Sequence, residues 1–262
     1  MDAVESVKGK DFDRRLFSLL LVMNIIAALL SIPYVNVLSG KPAIAPYKLI
    51  IIIPFQIITT LIIFSFIISV GINLSVRYGF DEPFLKSFLY KRDYPDNTKQ
   101  SLSRSFLAGI ALGICLMILS FTGTHFFPIP SAKHLHNPGP LYGFLVSVSA
   151  GISEETLFRF CLLQVFIWLG GFLVKGEYVR SAGVLFWTAN FLSGIIFGMA
   201  HISNLAVIGA DINISTVGIT VTLNLIAGMT FGYLFFKYGL LSAIIAHFST
   251  DLVLHVIVPA LM

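Results

Sequence analysis

Long apolar runs separated by short polar segments dominate the pattern of the chain. The runs lie at residues 16–38, 49–74, 106–124, 141–172, 184–208, 212–236 and 240–258. Each is close to or above the roughly 20 apolar residues that a helix needs to cross a bilayer. The pattern predicts one all-α domain over residues 1–262, a polytopic transmembrane bundle of about seven and at most eight spans.

The composition excludes a soluble enzyme. Hydrophobic residues make up 56% of the chain and charged residues 11%, with a mean hydropathy of +0.89, whereas a soluble domain has about 25% charged residues. The net charge of +4 would suggest a nucleic-acid partner in a soluble domain. Here we attribute it to Lys and Arg in cytoplasmic loops, and we expect the lipid bilayer as partner and no nucleic acid.

The distribution of Lys and Arg predicts the topology. With the N-terminus inside, the inner segments hold Lys8, Lys10, Arg14, Arg15, Arg77, Lys86, Lys91, Arg92, Lys99, Arg104, Lys175, Arg180 and Lys237, whereas the outer ones hold Lys41, Lys48 and Lys133. Cytoplasmic loops are enriched in these residues. We therefore expect a multi-pass membrane protein with a cytoplasmic N-terminus and a long inner loop from Ser75 to Ser105.

Ionisable residues inside the spans need an explanation, because each costs roughly 2.5 to 3.5 kcal/mol near the bilayer centre. They are Glu154, Glu155, Arg159 and Asp251. Glu155 and Arg159 are four residues apart and share a helix face, so an ion pair is expected between them. Glu154 lies about 100° around the helix and is free to face a cavity.

Two histidines add to this set from other spans. His201 ends the segment FGMAH, and His247 precedes Asp251 by four residues, which places both on one helix face. Charged groups on three spans can converge only around a polar, hydrated cavity. There a carboxylate can act as a general base, and imidazoles can donate to a developing oxyanion.

These residues form three ordered motifs, Glu154-Glu155-x-x-x-Arg159, Phe197-x-x-x-His201 and His247-x-x-x-Asp251. In this order, on late spans of a polytopic protein, they resemble the CPBP family of intramembrane proteases. That family includes CAAX-processing enzymes and bacterial bacteriocin-immunity and peptide-processing proteins. The resemblance covers a core of residues 140–258; the preceding residues are similar only in being hydrophobic spans.

The resemblance implies roles for the motif residues. Glu154 would activate a water for attack on a peptide carbonyl, His201 would help to bind that water, and His247 would donate to the oxyanion. Glu155 would be supporting, with Arg159 bracing it or orienting the site. An ionised Asp251 cannot donate a hydrogen bond, so it would orient His247 or be held protonated.

The expected function is an intramembrane endopeptidase of the glutamate type that cleaves a membrane-associated or lipidated, CAAX-like peptide. The sequence contains no H-E-x-x-H motif, so we favour catalysis without a cofactor, with zinc as the alternative. Buried Glu, His and Asp chains also build proton relays, which leaves a proton-coupled transporter as another candidate. A non-catalytic membrane binding or immunity protein is the third.

Two packing features can be tested against a structure. The pairs Gly109/Gly113, Gly194/Gly198 and Gly228/Gly232 are GxxxG motifs, which predict close helix packing. Counted from the inner ends of their spans, Glu154 and His201 lie about 25 Å deep but His247 only about 12 Å. Either the fourth helix extends into the cytoplasm, or the last helix pair is re-entrant.

Overall fold

The computed structural model describes residues 12–38, 44–80, 82–126, 139–172, 183–207 and 209–261, and these residues contain helices and no strand. The α-helices are α1 (Arg14–Leu38), α2 (Pro46–Tyr78), α3 (Pro83–Tyr90), α4 (Thr98–Phe126), α5 (Pro140–Glu155), α6 (Gln164–Gly171), α7 (Gly183–Ala200), α8 (Ile202–Val207), α9 (Ile214–Tyr238), α10 (Leu240–Asp251) and α11 (Val258–Leu261). Two π-helical segments, π1 (Thr156–Leu163) and π2 (Leu252–Ile257), join α5 to α6 and α10 to α11.

Most of the predicted spans appear as single long helices. Six stretches of the described residues are long and apolar enough to cross a membrane: Arg14–Tyr34, Tyr47–Tyr78, Thr98–Gly123, Gly183–Val207, Ile214–Tyr238 and Leu240–Ala260. The predicted spans at 141–172 and 240–258 are instead interrupted by π1 and π2, and the one at 184–208 consists of α7 and α8. The all-α membrane bundle is thereby confirmed, with the span count approximate.

The long inner loop was predicted wrongly, because most of Ser75 to Ser105 is helical. α2 continues to Tyr78, and α4 already begins at Thr98. Between them, α3 buries Phe84 and Leu85 against the bundle and leaves Phe88 exposed. An eight-residue helix is too short for its apolar periodicity to be recognised in the sequence.

All three GxxxG motifs lie at close helix contacts, as predicted. A Cβ atom added to Gly198 would lie 2.9 Å from the Val221 Cα, and one added to Gly228 would lie 3.1 Å from the Gly194 Cα. α7 and α9 are therefore in backbone contact through both of their motifs. Gly113 packs α4 in the same way against Thr250 and Val253 of α10 and π2.

Basic residues collect at one end of the bundle. The guanidinium groups of Arg15 and Arg92 lie 5.1 and 5.4 Å from the ring of Tyr90 on α3. Lys237, at the end of α9, donates a hydrogen bond to the Tyr233 hydroxyl. We call this the basic end; it contains the starts of α1, α4 and α10 and the ends of α2 and α9. The charge distribution predicts that it faces the cytoplasm.

Candidate active site

The site is built where two helices change from α to π geometry. Glu154 and Glu155 are the last residues of α5, and Arg159 lies in π1, which follows directly. Asp251 is the last residue of α10, and π2 begins at the next position. π-Helical turns inside α-helices are rare and occur frequently at functional sites. Both interruptions directly follow residues of the sequence motifs.

Glu155 is the buried centre of the cluster. Its Oε1 lies 2.7 Å from Nδ1 of His247, and its Oε2 lies 3.2 Å from Nε of Arg159. The side chains of Glu155 and Arg159 are 0% and 1% exposed. The carboxylate thus links α5 to π1 and α10, and it orients the His247 ring so that Nε2 faces the opposite side.

Glu154 occupies the more open side of the same helix end. Its side chain is 31% exposed, in contrast to the fully buried Glu155. Its Oε2 atom lies 3.8 Å from Nε2 of His201 and 3.9 Å from Nε2 of His247. Both separations are too long for a direct hydrogen bond and suit a bridging water.

The ring of His201 turns back along its own helix. Its Nδ1 lies 2.8 Å from the carbonyl oxygen of Phe197, one turn earlier. Since a carbonyl can only accept, Nδ1 carries the proton in this contact. In the neutral ring Nε2 is then an acceptor, and it faces the carboxylate of Glu154.

Asp251 lies beside the cluster without a direct hydrogen bond to either neighbouring imidazole. Its Oδ2 is 3.6 Å from Nε2 of His247, and its Oδ1 is 4.0 Å from Nε2 of His255. The structure therefore brings together all six residues singled out from the sequence: Glu154, Glu155, Arg159, His201, His247 and Asp251.

An aromatic layer completes the site, and the sequence analysis missed part of it. The Arg159 guanidinium lies 4.4 Å from the ring centre of Phe197 and 5.5 Å from that of Phe231. Phe231 also stacks on His247, with ring centres 4.6 Å apart and planes 14° from parallel. The only signal for Phe231 was its place between Gly228 and Gly232, where α9 approaches other helices closely.

The first helix also supports the site, although the resemblance did not extend to it. Asn24, which is fully buried, donates to the hydroxyl of Thr156, the residue after Glu155. Ser149 of α5 donates to the carbonyl of Ala27 at 2.7 Å. A buried Asn within an apolar span was the available signal.

The fourth helix accounts for part of the predicted depth mismatch between Glu154 and His247. His247 lies seven residues after the start of α10, and Asn24 lies ten residues after the start of α1. At 1.5 Å per residue the site is about 10 to 15 Å from the basic end. The hydrogen bond between Ser75 and Gln164 shows how α2 and α6 lie side by side. Ser75 is three residues from the end of α2, whereas Gln164 is seven residues from the end of α6. α6 therefore extends about 6 Å beyond the end of α2.

The groups of the cluster that could bind a metal ion on its open side are the Glu154 carboxylate and the Nε2 atoms of His201 and His247, with the Asp251 carboxylate beside them. A tetrahedral zinc would hold two ligand atoms about 3.3 Å apart, whereas Oε2 of Glu154 lies 3.8 and 3.9 Å from the two imidazole Nε2 atoms. No group of His, Cys, Asp and Glu within the described ranges is arranged to hold a metal ion.

Comparison with known proteins gives the class of this core. Residues 136–253 match the family model "Type II CAAX prenyl endopeptidase Rce1-like". The matched segment contains all six site residues, and it confirms the resemblance to the CPBP family. The core of the chain is thus similar to CAAX prenyl endopeptidases over residues 136–253. No curated protein and no solved structure matches the chain.

Proposed function

We propose that the protein is an intramembrane endopeptidase of the glutamate type, acting on a prenylated or otherwise membrane-associated protein. The observation that carries the proposal is the position of Glu154 Oε2, 3.8 and 3.9 Å from the Nε2 atoms of His201 and His247. The family match supports the substrate class, because its description names a CAAX prenyl endopeptidase.

The first step activates a water. Glu154 and Nε2 of neutral His201 are both acceptors, so they cannot bond to each other but can each accept one O–H of the same water. Its lone pairs then point away from both, toward a substrate carbonyl. Glu154 takes one proton as the oxygen attacks, which makes it the general base.

The second step needs a donor for the tetrahedral oxyanion. The Nδ1–H of His247 donates a hydrogen bond to Glu155. When the ring is doubly protonated, it also has an N–H at Nε2, which faces the site. This group donates to the oxyanion as the negative charge develops. Glu154 then returns its proton to the leaving amine, which restores the carboxylate and breaks the peptide bond.

The remaining motif residues orient the reacting groups. Arg159 holds Glu155 through Nε, and Glu155 in turn fixes the His247 ring. Asp251, 3.6 Å from the same ring, helps to set its orientation. A lipidated substrate at the cytoplasmic leaflet would reach a site about 10 to 15 Å from the basic end by a short path.

The proposal is tested with purified protein and matched peptides. Peptides ending in a prenylated CAAX sequence, their unprenylated forms and a scrambled prenylated control are incubated with the protein, and the products are read by mass spectrometry. We expect cleavage of the prenylated CAAX peptide to be unchanged by a chelator. If the chelator lowers the rate and added Zn²⁺ restores it, the mechanism requires zinc and the metal-free mechanism is wrong. If no peptide is cleaved, the proposed function is contradicted.

A further inference from the structure

A one-residue corner joins the two helices that place Phe231 and His247 face to face. α9 ends at Tyr238 and α10 begins at Leu240. Gly239 between them has φ 89° and ψ 177°, a positive-φ conformation that glycine adopts without the steric penalty of other residues. The backbone at this corner sets the direction of α10, which carries His247, relative to α9, which carries Phe231.

The start of α10 is held by a residue from a distant part of the chain. The first N–H groups of a helix lack partners within it, and Gly239 has no side chain to cap them. The carboxylate of Glu82 instead accepts a hydrogen bond of 2.7 Å from the Leu240 N–H. Glu82 is 2% exposed and Leu240 0%. A buried carboxylate at a helix N-terminus is a strong, charge-assisted acceptor.

The same segment also contacts the other side of the corner. The ring of Phe80 stacks on Phe235 of α9, with centres 5.6 Å apart and planes 15° from parallel, and meets Phe236 edge-on at 6.2 Å. Phe80 and Glu82 thus hold the end of α9 and the start of α10 together. We call these two residues the corner clamp.

We propose that Glu82 is a positioning residue for catalysis, which sets the location of His247 through the N-terminus of α10. His247 lies seven residues, or about 10 Å, along the helix from Leu240. The stiff helix transmits a displacement of its start to the ring, and a misplacement of about 1 Å at a reacting group can cost 100-fold in rate. The inference rests on the proposed peptidase function.

Three substitutions at one position separate the hydrogen bond from general stability. Glu82→Ala removes the acceptor, Glu82→Asp shortens its reach by one methylene, and Glu82→Gln keeps an acceptor oxygen at the same reach. The matched control is Tyr90→Phe, which removes another hydrogen bond at the basic end, from the Tyr90 hydroxyl to Asp13 at 2.7 Å. This hydrogen bond connects α3 to the residue that precedes α1 and does not involve α10.

We expect the kcat of Glu82→Ala and Glu82→Asp to fall at least about tenfold with KM within about twofold of wild type. Glu82→Gln should retain most of kcat, and Tyr90→Phe should match wild type in both constants. The proposal is overturned if the Asp and Ala variants keep the wild-type kcat per folded molecule, or if Gln is as slow as Ala. Should Glu82→Ala not fold, the Asp and Gln variants decide.

A second readout does not depend on activity. In histidine-labelled protein, the ring resonances of His247 carry a ring-current shift from Phe231, and a His247→Gln sample assigns them. We expect these resonances to move toward unstacked values in Glu82→Asp and to stay in place in Tyr90→Phe. Unmoved resonances in Glu82→Asp contradict the positioning role. An inactive wild type with the expected shifts would refute the peptidase function alone.

Discussion

Replacing Arg159 by Met tests how the buried charges of the site are compensated. The change removes the partner of Glu155 Oε2 at 3.2 Å while keeping much of the side-chain volume. Glu155 is fully buried and retains only its contact with His247. Removing one partner of a buried pair typically costs about 3 to 5 kcal/mol. The lost contact with the Phe197 ring adds about 0.5 to 2 kcal/mol.

The assay is denaturant unfolding in detergent micelles, followed by tryptophan fluorescence. We expect Arg159→Met to lose at least about 3 kcal/mol in the free energy of unfolding, and the double variant Glu155→Gln/Arg159→Met to recover part of that loss, because residue 155 is then no longer a buried carboxylate without its guanidinium partner. The control Arg77→Met removes an exposed guanidinium and should change stability by less than about 1 kcal/mol. A single variant as stable as wild type would refute the reasoning and leave Arg159 with a purely catalytic role.

Three further predictions address the site and its surroundings. His201→Ala and His247→Ala should each lower kcat about 10²- to 10³-fold in folded protein; activity above a tenth of wild type would make the assigned role wrong. Gly228→Ala should lower the melting temperature, because the new Cβ would lie 3.1 Å from Arg159 Nη2. A higher melting temperature, as helix propensity alone would give, would contradict the close packing of Gly228 against Arg159. A cysteine at Ser153, beside Glu154, in a protein without its native cysteines should react with an impermeant thiol reagent from the cytoplasmic side. Labelling only from the opposite side would show that the predicted topology is inverted.

The sequence was sufficient to find the six motif residues because their chemistry is costly in an apolar span. Glu154 and Asp251 would not be retained there without a use, and the four-residue spacings of Glu155/Arg159 and His247/Asp251 identify shared helix faces. The spacing also predicted the contact between Glu155 and Arg159, which the structure contains. Residue types and their spacing within single helices were therefore enough to identify the candidate site residues.

The remaining contacts depend on packing between distant segments, which a single sequence does not encode in a readable form. Phe231 stacks on His247, and Asn24 donates to Thr156 across 132 positions. The π-helical segments have no sequence pattern of their own. Glu82 was assigned to a loop, and its role follows only from its contact with Leu240, 158 positions away.

The most direct test of the account is single-turnover cleavage of a prenylated CAAX peptide by the Glu154→Gln variant. The amide keeps the shape of the side chain but cannot take a proton from water. The control Asp211→Asn neutralises an exposed carboxylate outside the site. We predict normal folding and peptide binding in both variants, wild-type product formation in Asp211→Asn, and no product in Glu154→Gln. Turnover at the wild-type rate in folded Glu154→Gln protein would contradict the assignment of Glu154 as the general base.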